Sequence, residues 1–133
     1  MIAKELGEMG LRPTPIAGTG IYCDINGKTQ GRTVALRADI DALPLEEMSG
    51  DQFSSKSKGV MHACGHDAHI AMLLGVARKL AADPSFPGRV RLMFQPAEES
   101  PPGGAIEMIR EGIMKGVDFV LEGEQTAGYS CQA

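Results

Sequence analysis

The sequence predicts an α/β domain in which helices pack on a largely parallel β-sheet. Strand-like and helix-like segments alternate from residue 32 onward, in the order strand, helix, strand, helix, strand. One segment, 66–83, has the apolar spacing of a long amphipathic helix. The strand-like segments also end in acidic residues, and functional side chains typically collect at the carboxyl edge of such a sheet.

Length and composition fit one compact domain, 1–133. The chain has 133 residues, of which 43% are hydrophobic and 23% charged. A net charge of −4 does not favour a nucleic-acid surface, and no run reaches the roughly 20 apolar residues of a membrane helix. The N-terminal residues lack an apolar signal core. Three scattered cysteines, Cys23, Cys64 and Cys131, argue against a disulfide framework and for a cytoplasmic setting.

The N-terminal third is predicted to contain one helix and two strands. Residues 2–10 have the spacing of a short amphipathic helix. Residues 20–27 and 32–40 alternate apolar and polar side chains, as strands do. The Asn-Gly pair at 26–27 is a strong turn signal, so we predict that these two strands pair as a hairpin.

The remaining elements follow the alternating order. Residues 41–59 form a long loop rich in serine, lysine and glycine, and loops of this length are usually functional or mobile. The helix predicted at 66–83 comes next. Residues 88–99 form a strand that runs into a turn marked by proline, residues 101–116 form a loop and a helix, and residues 117–124 form a third, buried-looking strand.

The side chains most able to bind metal or transfer protons lie in segments that the predicted fold would bring close together. A ten-residue stretch, 60–69, holds all three histidines of the chain and one of its cysteines, just before the long helix. Acidic side chains follow three predicted strands at their carboxyl ends, where an open α/β sheet collects its functional residues. Thiolate, imidazole and carboxylate donors together suit a transition metal such as Zn²⁺. The acidic residues are Asp39, Asp41, Glu98, Glu99, Glu122 and Glu124.

Each of these groups also has a purely structural explanation. The histidine-rich segment could cap its helix, since histidines three or four residues apart are common by chance. Glu98 and Glu99 could be solvated surface residues, and Asp39 and Asp41 could begin a turn. Their convergence on one sheet edge favours a function. Adjacent glutamates could then divide the work, one binding metal and the other accepting a proton from metal-bound water.

Three segments carry a resemblance to a known family. They read "LRADIDALPLEE" (36–47), "GVMHACGHDAHIAMLLGVARKL" (59–80) and "VRLMFQPAEES" (90–100). In this order and spacing they resemble the M20 metallopeptidases, specifically the branch of hippurate hydrolases, N-acyl-amino-acid amidohydrolases and auxin-conjugate hydrolases. The resemblance implies part of a zinc-exopeptidase-like catalytic domain. It also implies a substrate, an N-acyl amino acid whose amide bond is hydrolysed.

The resemblance assigns roles to individual residues. Cys64, His66 and Glu99 match metal ligands of a site with two divalent ions bridged by water. The ions would be Zn²⁺ or Mn²⁺, with Co²⁺ or Ni²⁺ as further possibilities. Glu98 matches the general base, and Asp41 matches a carboxylate that orients a ligand.

The chain departs from the family pattern in several places. Branch members usually carry a Gly-Leu-His stretch near residue 120, whereas this chain reads "FVLEGEQTAG". Glu124 stands near the place of that histidine and resembles the glutamate ligand of other branches. The alternative is that the segment after about residue 121 is unrelated sequence. Family members are also longer, with a dimerising lid domain and a late histidine ligand. His62 and His69 have no ligand role in the pattern, so we expect both to cap the helix and form hydrogen bonds.

Two other classes of function stay open. The chain could be a non-catalytic fragment that self-associates through an exposed sheet edge, most simply as a homodimer. Alternatively, Cys64 could be a nucleophile with His66 or His69 as its base. That alternative would leave the adjacent pair Glu98 and Glu99 without a purpose.

Overall fold

The computed structural model describes residues 1–123 and confirms the α/β class. The predicted long helix is present with its expected apolar face, and so is the short N-terminal helix. A three-residue strand near the N-terminus was not predicted. The helices are α1 (Ile2–Glu8), α2 (His66–Ala82) and α3 (Gly104–Arg110), and the strands are β1 (Thr14–Ile16), β2 (Gly20–Asn26), β3 (Thr29–Asp39), β4 (Pro87–Gln95) and β5 (Phe119–Glu122).

The five strands form one mixed sheet in the order β1-β2-β4-β3-β5. Strand β3 lies between β4 and β5 and runs parallel to both. Strand β2 runs antiparallel to β4, and β1 runs antiparallel to β2. The sheet is therefore half parallel rather than largely parallel. Its parallel half brings the carboxyl ends of β3, β4 and β5 to one edge.

Strands β2 and β3 do not pair, so the hairpin predicted from the Asn-Gly signal is wrong. Strand β4 lies between them, and the connection crosses its beginning. There the N–H of Gly27 donates to the carbonyl of Gly88 at 2.8 Å, and the N–H of Lys28 donates to that of Phe86 at 3.1 Å. A Cβ atom at Gly27 would lie 2.0 Å from the Phe86 carbonyl oxygen. The glycine is needed for this close crossing and not for a two-residue turn.

Strand β4 is the central strand of the sheet, and its side chains are covered on both faces. Its last five residues, 91–95, are all buried, and a strand of that kind lacks the apolar-polar alternation of a half-exposed strand. Leu92 and Phe94 belong to the larger core, with α1 and α2 on that side of the sheet. Met93 belongs to the smaller core on the opposite face, where it packs with Met108 of α3.

Strand β5 exists as predicted, but it is exposed and not buried. Phe119, Val120 and Leu121 expose 48%, 42% and 60% of their surface. Within residues 1–123, β5 pairs with β3 alone, so one of its edges carries no strand partner in that range. The apolar composition of the segment predicted the strand correctly and its burial incorrectly.

We expect Gly27→Ala to destabilise the fold by about 2 kcal/mol, because the new methyl group would overlap a backbone carbonyl that cannot rotate away. Gly75→Ala is the matched control. Gly75 lies within α2, and no atom lies within 4 Å of a Cβ built there. Alanine at this position should therefore raise the free energy of unfolding by roughly 0.5–1 kcal/mol. Urea unfolding of both variants measures the difference. Equal stabilities would show that the crossing is not tightly packed.

Candidate metal centre

The carboxyl ends of β3 and β4 and the start of α2 meet at one edge of the sheet. Asp39 and Gln95 are the last residues of their strands and face each other in register. The N–H of Ile40 donates to the Gln95 carbonyl at 2.9 Å, which keeps the two chains together as they leave the sheet. The loops that follow therefore carry Asp41 and the 98–99 pair to the same place.

Asp41 connects the two loops to the start of α2. Its Oδ1 lies 3.1 Å from Nδ1 of His66, and its Oδ2 accepts a hydrogen bond of 3.0 Å from the backbone N–H of Glu99. Burial acts to raise the pKa of Asp41, but the backbone hydrogen bonds from Glu99, from Asp41 itself and from Glu98 outweigh it and hold this pKa below its ordinary value. The carboxyl is therefore ionised at neutral pH and acts only as an acceptor.

These contacts determine which nitrogen of His66 can bind a metal. Both atoms near its Nδ1, the Asp41 carbonyl oxygen and the carboxylate Oδ1, lie at 3.1 Å and are acceptors. Nδ1 therefore carries the proton, and Nε2 keeps its lone pair for a ligand. His62 also places Nδ1 3.1 Å from the Asp41 carbonyl oxygen, so its expected hydrogen bond is present. Its expected role as a helix cap is wrong, because the N-cap of α2 is Gly65 and no side chain among residues 1–123 caps it.

The turn that carries the two glutamates is fixed by the backbone around it. Ala97 has a left-handed φ of 51°, a conformation that few non-glycine residues adopt. Its carbonyl accepts a hydrogen bond of 3.1 Å from the N–H of Gly104, the first residue of α3. A Cβ at Gly104 would lie only 2.0 Å from the Pro96 carbonyl oxygen. The turn therefore packs directly against α3, which positions Glu98 and Glu99.

The predicted ligands come together at this edge. One ligand atom each from His66, Glu98 and Glu99 lies within 4.8 Å of the others. The Cys64 thiol is exposed beside them. A hydrogen bond with Glu99 is the largest cause that raises the pKa of Cys64, and the charges of Glu99, Glu98 and Asp41 add to it. The structure therefore groups His66, Glu98 and Glu99 and joins Asp41 to them, while Cys64 lies beside Glu99 and outside the three-residue group. Glu124, the sixth predicted site residue, lies outside the described residues and stays a prediction.

The residues present fit a divalent cation. Three carboxylates lie around one thiol and one imidazole with a free lone pair. The pKa of the Cys64 thiol is raised first by its hydrogen bond with Glu99, then by desolvation and by the charges of these carboxylates. A divalent cation would offset the repulsion and favour the thiolate. The mixture of sulfur, nitrogen and oxygen donors is one that Zn²⁺ accepts.

A second group of polar residues, which the sequence did not reveal as connected, lies deeper along the same edge. Arg37 contacts Asp39 and Glu122, and its Nε donates to Oε1 of Gln95 at 2.7 Å. The network joins the ends of β3, β4 and β5, so Glu122 has a structural role. Arg37 and Asp39 are two residues apart in a strand, and this spacing alone could have placed them on one face.

His69 does not behave as expected. Neither of its ring nitrogens has a hydrogen-bond partner in the part of the chain that the structure describes, although both are buried. The nearest carboxylate oxygen, Oδ2 of Asp39, lies 4.0 Å from Nδ1. The prediction that His69 forms capping hydrogen bonds is therefore wrong for residues 1–123.

The fold is an α/β domain whose strand ends carry sulfur, nitrogen and oxygen donors that suit a metal ion. Residues 35–129 match the model of peptidase family M20/M25/M40, and the chain belongs to this family. No helix among residues 1–123 is long and apolar enough to cross a bilayer.

Relatives of known name are similar over most of this chain. N-acetyl-L-cysteine deacetylase of Bacillus subtilis is 50% identical over 122 residues, which are 90% of this chain and 29% of the relative. N-acyl-L-amino acid amidohydrolase of Geobacillus stearothermophilus is 50% identical over 122 residues, or 89% of this chain and 32% of the relative. The crystal structure of the Bacillus subtilis YXEP protein, a dinuclear metal binding peptidase from the M20 family, superposes with a TM-score of 0.89 at 38% identity. This match covers 94% of this chain and 36% of that structure. The chain therefore spans about a third of the length of these relatives.

We expect Arg37→Met to destabilise the fold by about 3 kcal/mol, because it leaves the buried carboxylate of Asp39 without its cation. Arg78→Met is the control, since the Arg78 side chain is 73% exposed and only 3.9 Å from its partner Glu5. This control should change stability by less than roughly 0.5 kcal/mol. Chemical denaturation of the two variants compares them, and equal losses would contradict a structural role for the Arg37 network.

Proposed function

We propose that this chain is part of the catalytic domain of a metal-dependent hydrolase that cleaves the amide bond of N-acyl amino acids. The observation that carries the proposal is the double contact of Asp41, which holds the imidazole of His66 and the backbone of Glu99 at one sheet edge. Two relatives, a deacetylase of N-acetyl-L-cysteine and an amidohydrolase of N-acyl-L-amino acids, have names that fit this reaction and this substrate class.

The proposed metal ligands are Cys64, His66 and Glu99, with Glu124 as a further candidate. We propose two divalent ions in the complete site, Zn²⁺ or Mn²⁺, in keeping with the dinuclear YXEP protein. Such ions, when bound, polarise an amide carbonyl and lower the pKa of water. Asp41 orients the ligands by contacting the imidazole of His66 and the backbone N–H of Glu99. Loss of such an orienting partner commonly weakens metal affinity 10–100-fold.

Glu98 is the proposed general base. It lies beside the ligand Glu99, within 4.8 Å of a ligand atom of His66, and is exposed to the open side of the site. Its carboxylate would accept a proton from the water that attacks the amide carbon. It would then return the proton to the departing nitrogen as the C–N bond breaks, which leaves a carboxylic acid and a free amino acid.

The described part of the site is open to solvent, and this bears on activity. Cys64, Glu98 and Glu99 are all exposed, and no residue among 1–123 covers them. Catalysis of amide hydrolysis benefits from a site that excludes bulk water and fixes the substrate. We therefore propose that the 133-residue chain alone binds metal but hydrolyses N-acyl amino acids poorly.

Self-association without catalysis is the second candidate function. The exposed apolar strand β5 supports it, because an uncovered strand edge can pair with a second copy, most simply in a homodimer. A cysteine-nucleophile enzyme is disfavoured. A nucleophilic thiol needs a lowered pKa, whereas hydrogen bonding to Glu99 raises the pKa of Cys64.

The adjacent glutamates provide the test of the proposed roles. We expect Glu98→Gln to bind Zn²⁺ as the unaltered chain does, because the base is not a ligand. We expect Glu99→Gln to bind at least about tenfold more weakly, because a ligand is lost. Equilibrium dialysis followed by plasma-emission analysis measures the bound zinc.

The two variants differ by one position and by the same chemical change, so each controls for the other. Equal losses of zinc in both would contradict the separate roles of Glu98 and Glu99. Failure of the unaltered chain to take up zinc would favour the self-associating fragment.

A further inference from the structure

His69 contacts the proposed ligand His66 although it has no role in the proposed metal site. The two residues lie three apart on the first turn of α2, on the same face of the helix. Their rings are stacked, with centroids 5.5 Å apart and an angle of 24° between the planes. The His69 side chain is only 11% exposed. The two imidazoles are therefore near-parallel, offset neighbours inside the protein.

A histidine ligand needs two kinds of support. Rotation about its Cβ–Cγ bond is soft and roughly two-fold, so the ring can tilt, or turn over and place a ring carbon where each nitrogen was. The contacts of Asp41 hold the Nδ1 edge of His66, but an edge contact leaves the tilt of the ring free. A flat neighbour against the ring face limits that tilt. His69 occupies this position.

We propose that His69 is a positioning residue for the metal ligand. Its ring face holds the His66 imidazole so that Nδ1 stays on Asp41 and Nε2 stays available to the cation between the carboxylates. The inference rests on the proposed metal-binding function, and it concerns how the site is organised before any ion binds. A ligand already held in its binding orientation loses less freedom on binding, which raises affinity.

A rival role for His69 is that of a ligand in its own right. Ligand atoms of Asp39, His66 and His69 lie within 4.8 Å of one another. The Asp39 carboxylate, however, is already paired with the guanidinium of Arg37, which would repel a second cation. Among residues 1–123 neither nitrogen of His69 has a hydrogen-bond partner, and its ring lies nearly parallel to that of His66. The geometry therefore favours the positioning role.

Two substitutions separate these roles. His69→Phe keeps a flat aromatic face and removes both nitrogens, whereas His69→Ala removes the face as well. In metal-free protein, long-range proton–nitrogen NMR spectra of the histidine rings report the tautomer of His66. We expect a single tautomer protonated at Nδ1 in the unaltered chain and in His69→Phe, and a mixture of tautomers in His69→Ala.

Zinc affinity gives the second readout. We expect His69→Phe to bind Zn²⁺ within about twofold of the unaltered chain, and His69→Ala to bind about tenfold more weakly. Met72→Ala, one turn further along α2 and half exposed, is the truncation control and should change neither readout. If His69→Ala does not fold, His69→Leu fills the volume without a flat face and carries the same expectation.

The outcomes distinguish this inference from the proposed function. A His69→Ala variant with a single His66 tautomer and unchanged zinc affinity would overturn the positioning role. A His69→Phe variant that binds zinc as weakly as His69→Ala would also overturn it, because the loss of affinity would then come from the missing nitrogens and not from the missing ring. If the unaltered chain binds no zinc, the proposed function fails, and the metal-free spectra still decide whether His69 holds His66.

Discussion

The candidate site depends on one carboxylate, that of Asp41. It contacts the imidazole of His66, 25 residues later, and the backbone N–H of Glu99, 58 residues later. These contacts join a loop after β3, a turn after β4 and the first turn of α2 at one point. Because backbone hydrogen bonds keep the Asp41 carboxyl ionised, it can accept from both partners at neutral pH.

The sheet makes this contact possible. Strands β3 and β4 are parallel and in register up to Asp39 and Gln95, so the loops that follow them leave at the same edge. The Arg37 network ties the same strand ends together from within the sheet. Strand β4 anchors the arrangement, since both of its faces are covered by helices. The candidate site residues lie on loops and on the first turn of α2, and the parallel half of the sheet positions them.

The sequence predicts local structure and the site better than it predicts strand order. The apolar spacing of α2 predicts the helix correctly, and the acidic residues that follow β3 and β4 do lie at one edge, while their roles stay a prediction. The predicted hairpin was wrong because an Asn-Gly pair indicates only a tight turn. It does not indicate whether another strand, here β4, lies between the two strands that the turn connects. The uninterrupted apolar run at 92–94 was the better signal, since a central strand buried on both faces lacks alternation. The stacking of His69 on His66 depends on packing, which spacing alone does not determine.

We propose that Cys64 and His66 bind the same metal ion at the edge held by Asp41. X-ray absorption at the zinc edge tests it most directly, because the spectrum of the zinc-loaded chain distinguishes sulfur from lighter ligands. We expect one sulfur at about 2.3 Å together with nitrogen and oxygen ligands at about 2.0–2.2 Å. We expect Cys64→Ser to lose the sulfur and to keep the lighter ligands. A spectrum of the unaltered chain with no sulfur contribution would contradict the account.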